Sequence, residues 1–77
     1  MKAKNIITNK EIEINARPGA SSYEIMQATI RESAIKWQAE TAKKKLSYKE
    51  LLHYTRIFEK YAKKYGLQRE FRENGII

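Results

Sequence analysis

Residues 47–66, SYKELLHYTRIFEKYAKKYG, constrain the fold of this chain more than any other stretch. At the three- and four-residue steps of a helix, one leucine and four aromatic residues share one side, which we name the aromatic face. The aromatic face consists of Leu51, Tyr54, Phe58, Tyr61 and Tyr65. Because so apolar a surface is unfavourable in water, the stretch is predicted to be an amphipathic helix that packs this face into a core.

The opposite side of the same helix, about half a turn away, is basic. This basic face consists of Lys49, His53, Arg56, Lys60 and Lys63. The whole chain carries a formal charge of +7, and residues 43–77 hold ten basic side chains against four Glu, whereas residues 1–42 hold six against five. A polycationic second half favours an anionic partner, such as nucleic acid or an acidic protein surface.

The N-terminal segment has the pattern of a short hairpin. Residues 4–15, KNIITNKEIEIN, contain two adjacent isoleucines, a polar Thr-Asn-Lys, and then an alternation of Glu and Ile. The alternation predicts a strand over residues 10–15 with Ile12 and Ile14 on one side, and the polar residues before it predict the turn. A flexible arm is the alternative interpretation. Residues 16–19, Ala-Arg-Pro-Gly, predict the turn that leads into the first helix.

A long first helix is predicted over residues 21–45. Ser21 and Glu24 have the spacing of a capping box, and the lysines at 43–45 suit the carbonyl end of the helix dipole. One apolar stripe, which we name the core stripe, is the expected partner of the aromatic face. It consists of Tyr23, Met26, Ile30, Ala34 and Trp37.

The first helix carries a second stripe on another side, built mostly from small residues. It consists of Ile25, Ala28, Ile35, Ala39 and Ala42. Two apolar stripes imply two neighbours. Small residues let backbones approach closely, so a homodimer through the second stripe is one interpretation. The other is that its isoleucines cover the N-terminal strand.

The remaining signals complete the predicted fold. Ser47 and Glu50 repeat the capping box, and so short a connection predicts that helices 21–45 and 47–66 are antiparallel neighbours. A short third helix is predicted over residues 67–74, after which the two terminal isoleucines belong either to the core or to an interface. The sequence therefore predicts a mainly α fold in one domain, residues 1–77: a short N-terminal β-strand or hairpin, a long antiparallel helical hairpin and a short C-terminal helix.

The segment 58–76 resembles a helix-turn-helix, in which a small residue of the first helix lies four positions before the turn glycine. The stretch AKKYGL, from Ala62 to Leu67, carries this resemblance, whereas Gly75 stands where a second buried residue of the next helix is expected. The resemblance implies that three side chains face the major groove of DNA: Gln68, Arg69 and Arg72. The alternative is that Gly66 only ends the preceding helix.

Nucleic-acid binding is the function that the charge pattern favours, with DNA and a regulatory role as the specific expectation. The predicted binding residues are Lys43, Lys44, Lys45, Lys49, Arg56, Lys60, Lys63, Lys64, Arg69 and Arg72. The second interpretation is a small modulator or inhibitor that docks on an acidic surface of a larger protein, with Tyr48, Trp37 or the terminal isoleucines as anchors. A third is that the cations only keep the surface solvated.

Catalytic and metal-binding chemistry finds little support in the sequence. The chain has no Cys, all of its nine carboxylates are Glu, and His53 is the single histidine. No cluster of ligands at metal spacing and no phosphate-binding loop is present, so we expect neither an enzyme nor a cofactor. The absence of a long apolar run and of a signal-peptide pattern leads us to expect a cytoplasmic protein without a membrane partner.

Overall fold

The computed structural model describes residues 1–77 and contains two strands and three helices. In chain order these are β1 (Lys2–Lys4), β2 (Glu11–Glu13), α1 (Ser22–Thr41), α2 (Tyr48–Tyr65) and α3 (Gln68–Glu73). The two strands form an antiparallel hairpin in which Ala3 is opposite Ile12. This arrangement confirms the predicted mainly α fold, and it confirms the hairpin over the flexible arm.

The core lies between α1 and α2, where the core stripe meets the aromatic face. Four side chains at its centre are fully buried: Ile30, Ala34, Phe58 and Ala62. Aromatic pairs flank them, with ring centroids 5.2 Å apart for Trp37 and Phe58 and 5.4 Å apart for Tyr23 and Tyr65. Because Tyr23 begins α1 and Tyr65 ends α2, these contacts confirm that the helices run antiparallel.

The first strand of the hairpin lies earlier in the chain than the two adjacent isoleucines of the sequence pattern. β1 precedes the adjacent isoleucines, and Ile6 and Ile7 instead belong to the connection and pack against the core. Asn5 causes the change, because its Oδ1 accepts hydrogen bonds from the backbone N–H groups of Ile7 and Thr8, at 2.8 and 3.2 Å. An Asn side chain that caps the following amides curls the chain into a turn and prevents an extended strand there.

The side of α1 that contacts the hairpin connection includes buried hydroxyl groups. Thr29 and Ser33 are buried, and their hydroxyls donate to the carbonyl oxygens of Ile25 and Thr29 at 2.7 Å. Ser33 Oγ also accepts the backbone N–H of Ile6 at 3.1 Å. Since these polar groups are satisfied, the hairpin can pack on this side of the helix at little cost.

Helix α1 ends at Thr41 and not at the predicted residue 45. The backbone N–H groups of Lys43 and Lys44 bond to carbonyls only three residues earlier, those of Glu40 and Thr41. This tightening ends the helix, because three successive exposed lysines repel one another and bring no apolar side chain to hold another turn on the core. Residues 42–47 therefore form a longer connection than predicted, and the lysines lie in it.

The early end of α1 also explains an error at Leu51. We predicted this residue as part of the core, but 40% of its surface is exposed. Leu51 shares a cavity wall with Thr41 and Ala42, at the point where α1 stops. Because these side chains are too small to cover a leucine, the first turn of α2 lacks a full apolar partner.

Both predicted N-caps form. The hydroxyls of Ser21 and Ser47 accept the backbone N–H groups of Glu24 and Glu50, at 3.2 and 3.3 Å. The reciprocal bond from the glutamate back to the cap amide is not made. At the first cap the reason is Arg17, whose guanidinium holds the Glu24 carboxylate with bonds of 2.9 and 3.0 Å and lowers the pKa of that carboxyl.

Helices α2 and α3 end in the same way, at glycines with left-handed backbone angles. Gly66 has φ 68° and Gly75 has φ 71°. The residue after each glycine donates its N–H to a carbonyl five positions back and buries its own side chain, Leu67 in the first case and Ile76 in the second. The terminal isoleucines therefore belong to the core, since Ile77 also packs against it.

Candidate nucleic-acid interface

The outward side of α2 carries the predicted basic face, and all five of its side chains are exposed. Its orientation is fixed from the other side of the helix, because burial of Phe58 and Ala62 turns the residues half a turn away toward solvent. From Lys49 to Lys63 this face is about 21 Å long at the rise of an α-helix. Lys64 extends it, with its ammonium 5.7 Å from the ring of Tyr65.

Ion pairs are distributed unevenly over the molecule. Five lysine or arginine side chains lie within 4.0 Å of a carboxylate: Lys2, Arg17, Arg31, Lys36 and Arg69. Of the ten predicted binding residues, only Arg69 is among them, with Glu73 as its partner at 3.2 Å. Glu50 and Glu59 are the carboxylates of α2, and neither forms an ion pair. The basic face and the lysines at 43–45 therefore form no ion pair within 4.0 Å.

Helix α3 has fewer side chains available to contact DNA than the helix-turn-helix resemblance implies. It has six residues, and its buried side chain, Phe71, packs in the core. Its flank is held to α1 by an Arg31–Glu70 ion pair of 2.8 Å. Of the three side chains assigned to the major groove, Gln68 is half-buried and Arg69 is paired, so only Arg72 is both exposed and free of an ion pair. The basic face of α2 presents more free cations than α3 does.

The second stripe of α1 remains on the surface, although not uniformly. Ile35 is 57% exposed, Ala39 and Ala42 are exposed, and Ile25 and Ala28 are half-buried. The homodimer stays a prediction, with mass in solution as its test. We expect light scattering to give twice the 9.1 kDa of one chain, and Ile35→Lys to halve that mass by placing a charge in the contact. Leu52→Lys, at an exposed leucine of α2, should leave the mass unchanged; a single-chain mass for the unmodified protein rejects the dimer.

A cavity that the sequence did not predict lies next to the lysine-rich connection. Its volume is about 440 Å³, and its wall is formed by the hairpin connection, the last turns of α1 and the start of α2. Trp37 and Tyr54 supply the aromatic part of the wall, and Lys44 belongs both to the cavity and to the connection. No pattern in the sequence predicts this cavity, because it depends on the position of the hairpin connection, which Asn5 determines.

No helix of the chain combines the length and the apolarity that crossing a membrane requires. The His and Glu side chains form no group of three that could hold a metal ion. Comparison of the chain with protein-family models, with curated proteins and with solved structures finds no match. The fold and the surface define a class, a small α-rich domain with a basic helix face that forms no ion pairs. The cytoplasmic location and the expectation that the protein is not an enzyme stay predictions.

Proposed function

We propose that this chain is a small nucleic-acid-binding protein, with DNA as its ligand and a regulatory role, that binds phosphates through the basic face of α2 and the lysines at 43–45. One observation carries the proposal: nine of the ten predicted cations are free of ion pairs, while six of the seven glutamates outside α2 are paired. Unpaired cations along one helix are typical of a surface that binds a phosphate backbone, because their binding to phosphates releases the counterions condensed on the nucleic acid.

The excess of lysine over arginine on this surface indicates which part of the nucleic acid it contacts. Along the basic face and the connection, lysines outnumber the single arginine, Arg56. A lysine ammonium binds phosphate as a point charge, whereas base edges are read best by the planar fork of arginine. The proposed contact is therefore chiefly with the backbone. A face about 21 Å long lies along a stretch of duplex with roughly 12 phosphate charges, which is more than its cations can neutralise.

Salt dependence is the direct test of this proposal. We expect micromolar or tighter binding to a labelled random-sequence duplex at low salt, with affinity falling as the logarithm of salt concentration rises. Five or six phosphate contacts predict a slope of about −5 in a plot of log affinity against log salt. Fluorescence anisotropy at several salt concentrations measures that slope. A protein that binds no duplex at low salt despite its charge of +7 does not have this function.

The second candidate, a modulator that docks on an acidic protein surface, is favoured by one specific observation. Tyr48, Leu51 and Leu52 are 78%, 40% and 37% exposed in the first turn of α2, beside Lys45 and Lys49. Exposed aromatic and aliphatic side chains with cations around them are typical anchors of a protein interface. The salt titration separates the two candidates, because only the first predicts binding to nucleic acid of any sequence.

A further inference from the structure

The cavity next to Lys44 combines three features that a nucleotide requires. Its volume of about 440 Å³ is within the range of about 300–1,000 Å³ that small-ligand sites occupy. Trp37 and Tyr54 line it, with their ring centroids 5.8 Å apart, and provide an aromatic surface. The wall carries three lysines, Lys10, Lys36 and Lys44, against Glu11 and Glu40, and of these lysines Lys10 and Lys44 have no ion-pair partner and are free to meet a phosphate.

One buried hydrogen-bond donor of a residue in the cavity wall is unused. The Nε1–H of Trp37 is buried and has no acceptor. Asn5, also in the wall, is buried, and its Oδ1 accepts two backbone N–H groups. Buried donors are nearly always satisfied in proteins, so the idle indole N–H of Trp37 is an exception that an acceptor atom of a ligand would explain.

We propose that this cavity receives an unpaired base of the nucleic acid that is bound along the basic face. The base would contact Trp37 and Tyr54, one of its ring nitrogens or carbonyl oxygens would accept from the idle indole N–H of Trp37, and Lys10 and Lys44 would hold the adjoining phosphate. Lys44 connects the cavity to the phosphate-binding surface, so one strand can use both. This inference rests on the proposed function and narrows it to nucleic acids with a single-stranded segment.

The test uses the full chain and the fluorescence of Trp37, its single tryptophan. The probes are a deoxyadenosine oligonucleotide of about 12 nucleotides, an abasic sugar–phosphate oligomer of equal length, a blunt duplex and adenosine monophosphate. We expect the deoxyadenosine strand to quench Trp37 and to bind at least about tenfold more tightly than the abasic strand, because stacking of a base on aromatic rings adds to the phosphate contacts. The duplex should bind without quenching.

A matched pair of variants assigns the effect to the cavity. Lys4 and Lys10 are both exposed hairpin lysines without ion pairs, but only Lys10 lines the cavity. Lys4→Glu and Lys10→Glu change the net charge equally, so they should have the same small effect on binding of the abasic strand. Only Lys10→Glu should remove the roughly tenfold preference for the strand that carries bases. Unchanged circular dichroism of both variants confirms that they fold.

Each other outcome overturns a different statement. Equal affinity for the deoxyadenosine and abasic strands, with Trp37 unquenched, excludes base entry and leaves the proposed phosphate contact intact. If adenosine monophosphate binds as tightly as the deoxyadenosine strand does, the cavity is a site for free nucleotides. That result overturns the proposal that the base in the cavity belongs to a strand bound along the basic face. Absence of binding to every probe overturns the proposed function together with this inference.

Discussion

Simultaneous replacement of Arg56, Lys60 and Lys63 by alanine is expected to weaken binding to a random duplex by a few hundredfold at 0.1 M salt. Each lost phosphate contact removes about 0.9 from the slope of log affinity against log salt. Over the tenfold range from 1 M down to 0.1 M salt, three lost contacts therefore reduce log affinity by about 2.7 relative to the unmodified protein. The slope itself should become shallower by about 3. Anisotropy titrations at several salt concentrations measure both quantities, and circular dichroism should stay helical because all three side chains are exposed.

A triple variant elsewhere provides the control for net charge. Lys2, Lys4 and Arg17 match the first set in residue types and in charge, but lie on β1 and in the segment between β2 and α1, not on α2. Their replacement by alanine should change duplex affinity by less than about threefold and should preserve the slope, because charges far from a bound duplex are screened by salt. Equal losses in the two triple variants would show that binding follows net charge and not the basic face.

The helical part of the fold was predictable because its signals are local and repeated. Apolar side chains at helical spacing defined the core, and both serines and both helix-ending glycines marked boundaries that the structure has. The basic face was predictable for the same reason: once Phe58 points into the core, the residues half a turn away point outward. A single helix fixed both the centre of the core and the candidate interface.

The errors in the predicted fold arose where hydrogen bonds from single side chains to the backbone changed a structure that the periodic pattern predicted. Asn5 bends the chain with its side-chain oxygen and moves the first strand away from the isoleucines. Thr29 and Ser33 form a buried side of α1 although their composition looks polar, because their hydroxyls bond to the helix backbone. The cavity depends on both effects, since it opens between the displaced hairpin connection and the end of α1. Hydropathy patterns contain no information about such side-chain to backbone bonds.

Replacement of Phe58 by alanine is expected to cost about 3–5 kcal/mol of unfolding free energy, the range for a fully buried aromatic residue. Phe58 has no exposed surface, packs against Trp37, and meets Phe71 edge to face at 6.1 Å. Its loss therefore leaves a cavity where α1, α2 and α3 meet. At about 0.05–0.15 kcal/mol per residue, the whole chain is stable by only about 4–12 kcal/mol. Thermal melts followed by circular dichroism should show the midpoint fall by at least about 12 °C.

Leu52→Ala is the matched control, since Leu52 lies on the same helix and is 37% exposed. It should cost less than about 1 kcal/mol, because part of the lost surface already faces water. An unchanged melt for Phe58→Ala would mean that the aromatic face is not the core, and the outward orientation of the basic face would lose its structural basis. The stability of Phe58→Ala and the binding of the Arg56/Lys60/Lys63 variant therefore test opposite sides of one helix: the first should lose stability, and the second should lose affinity while it stays folded.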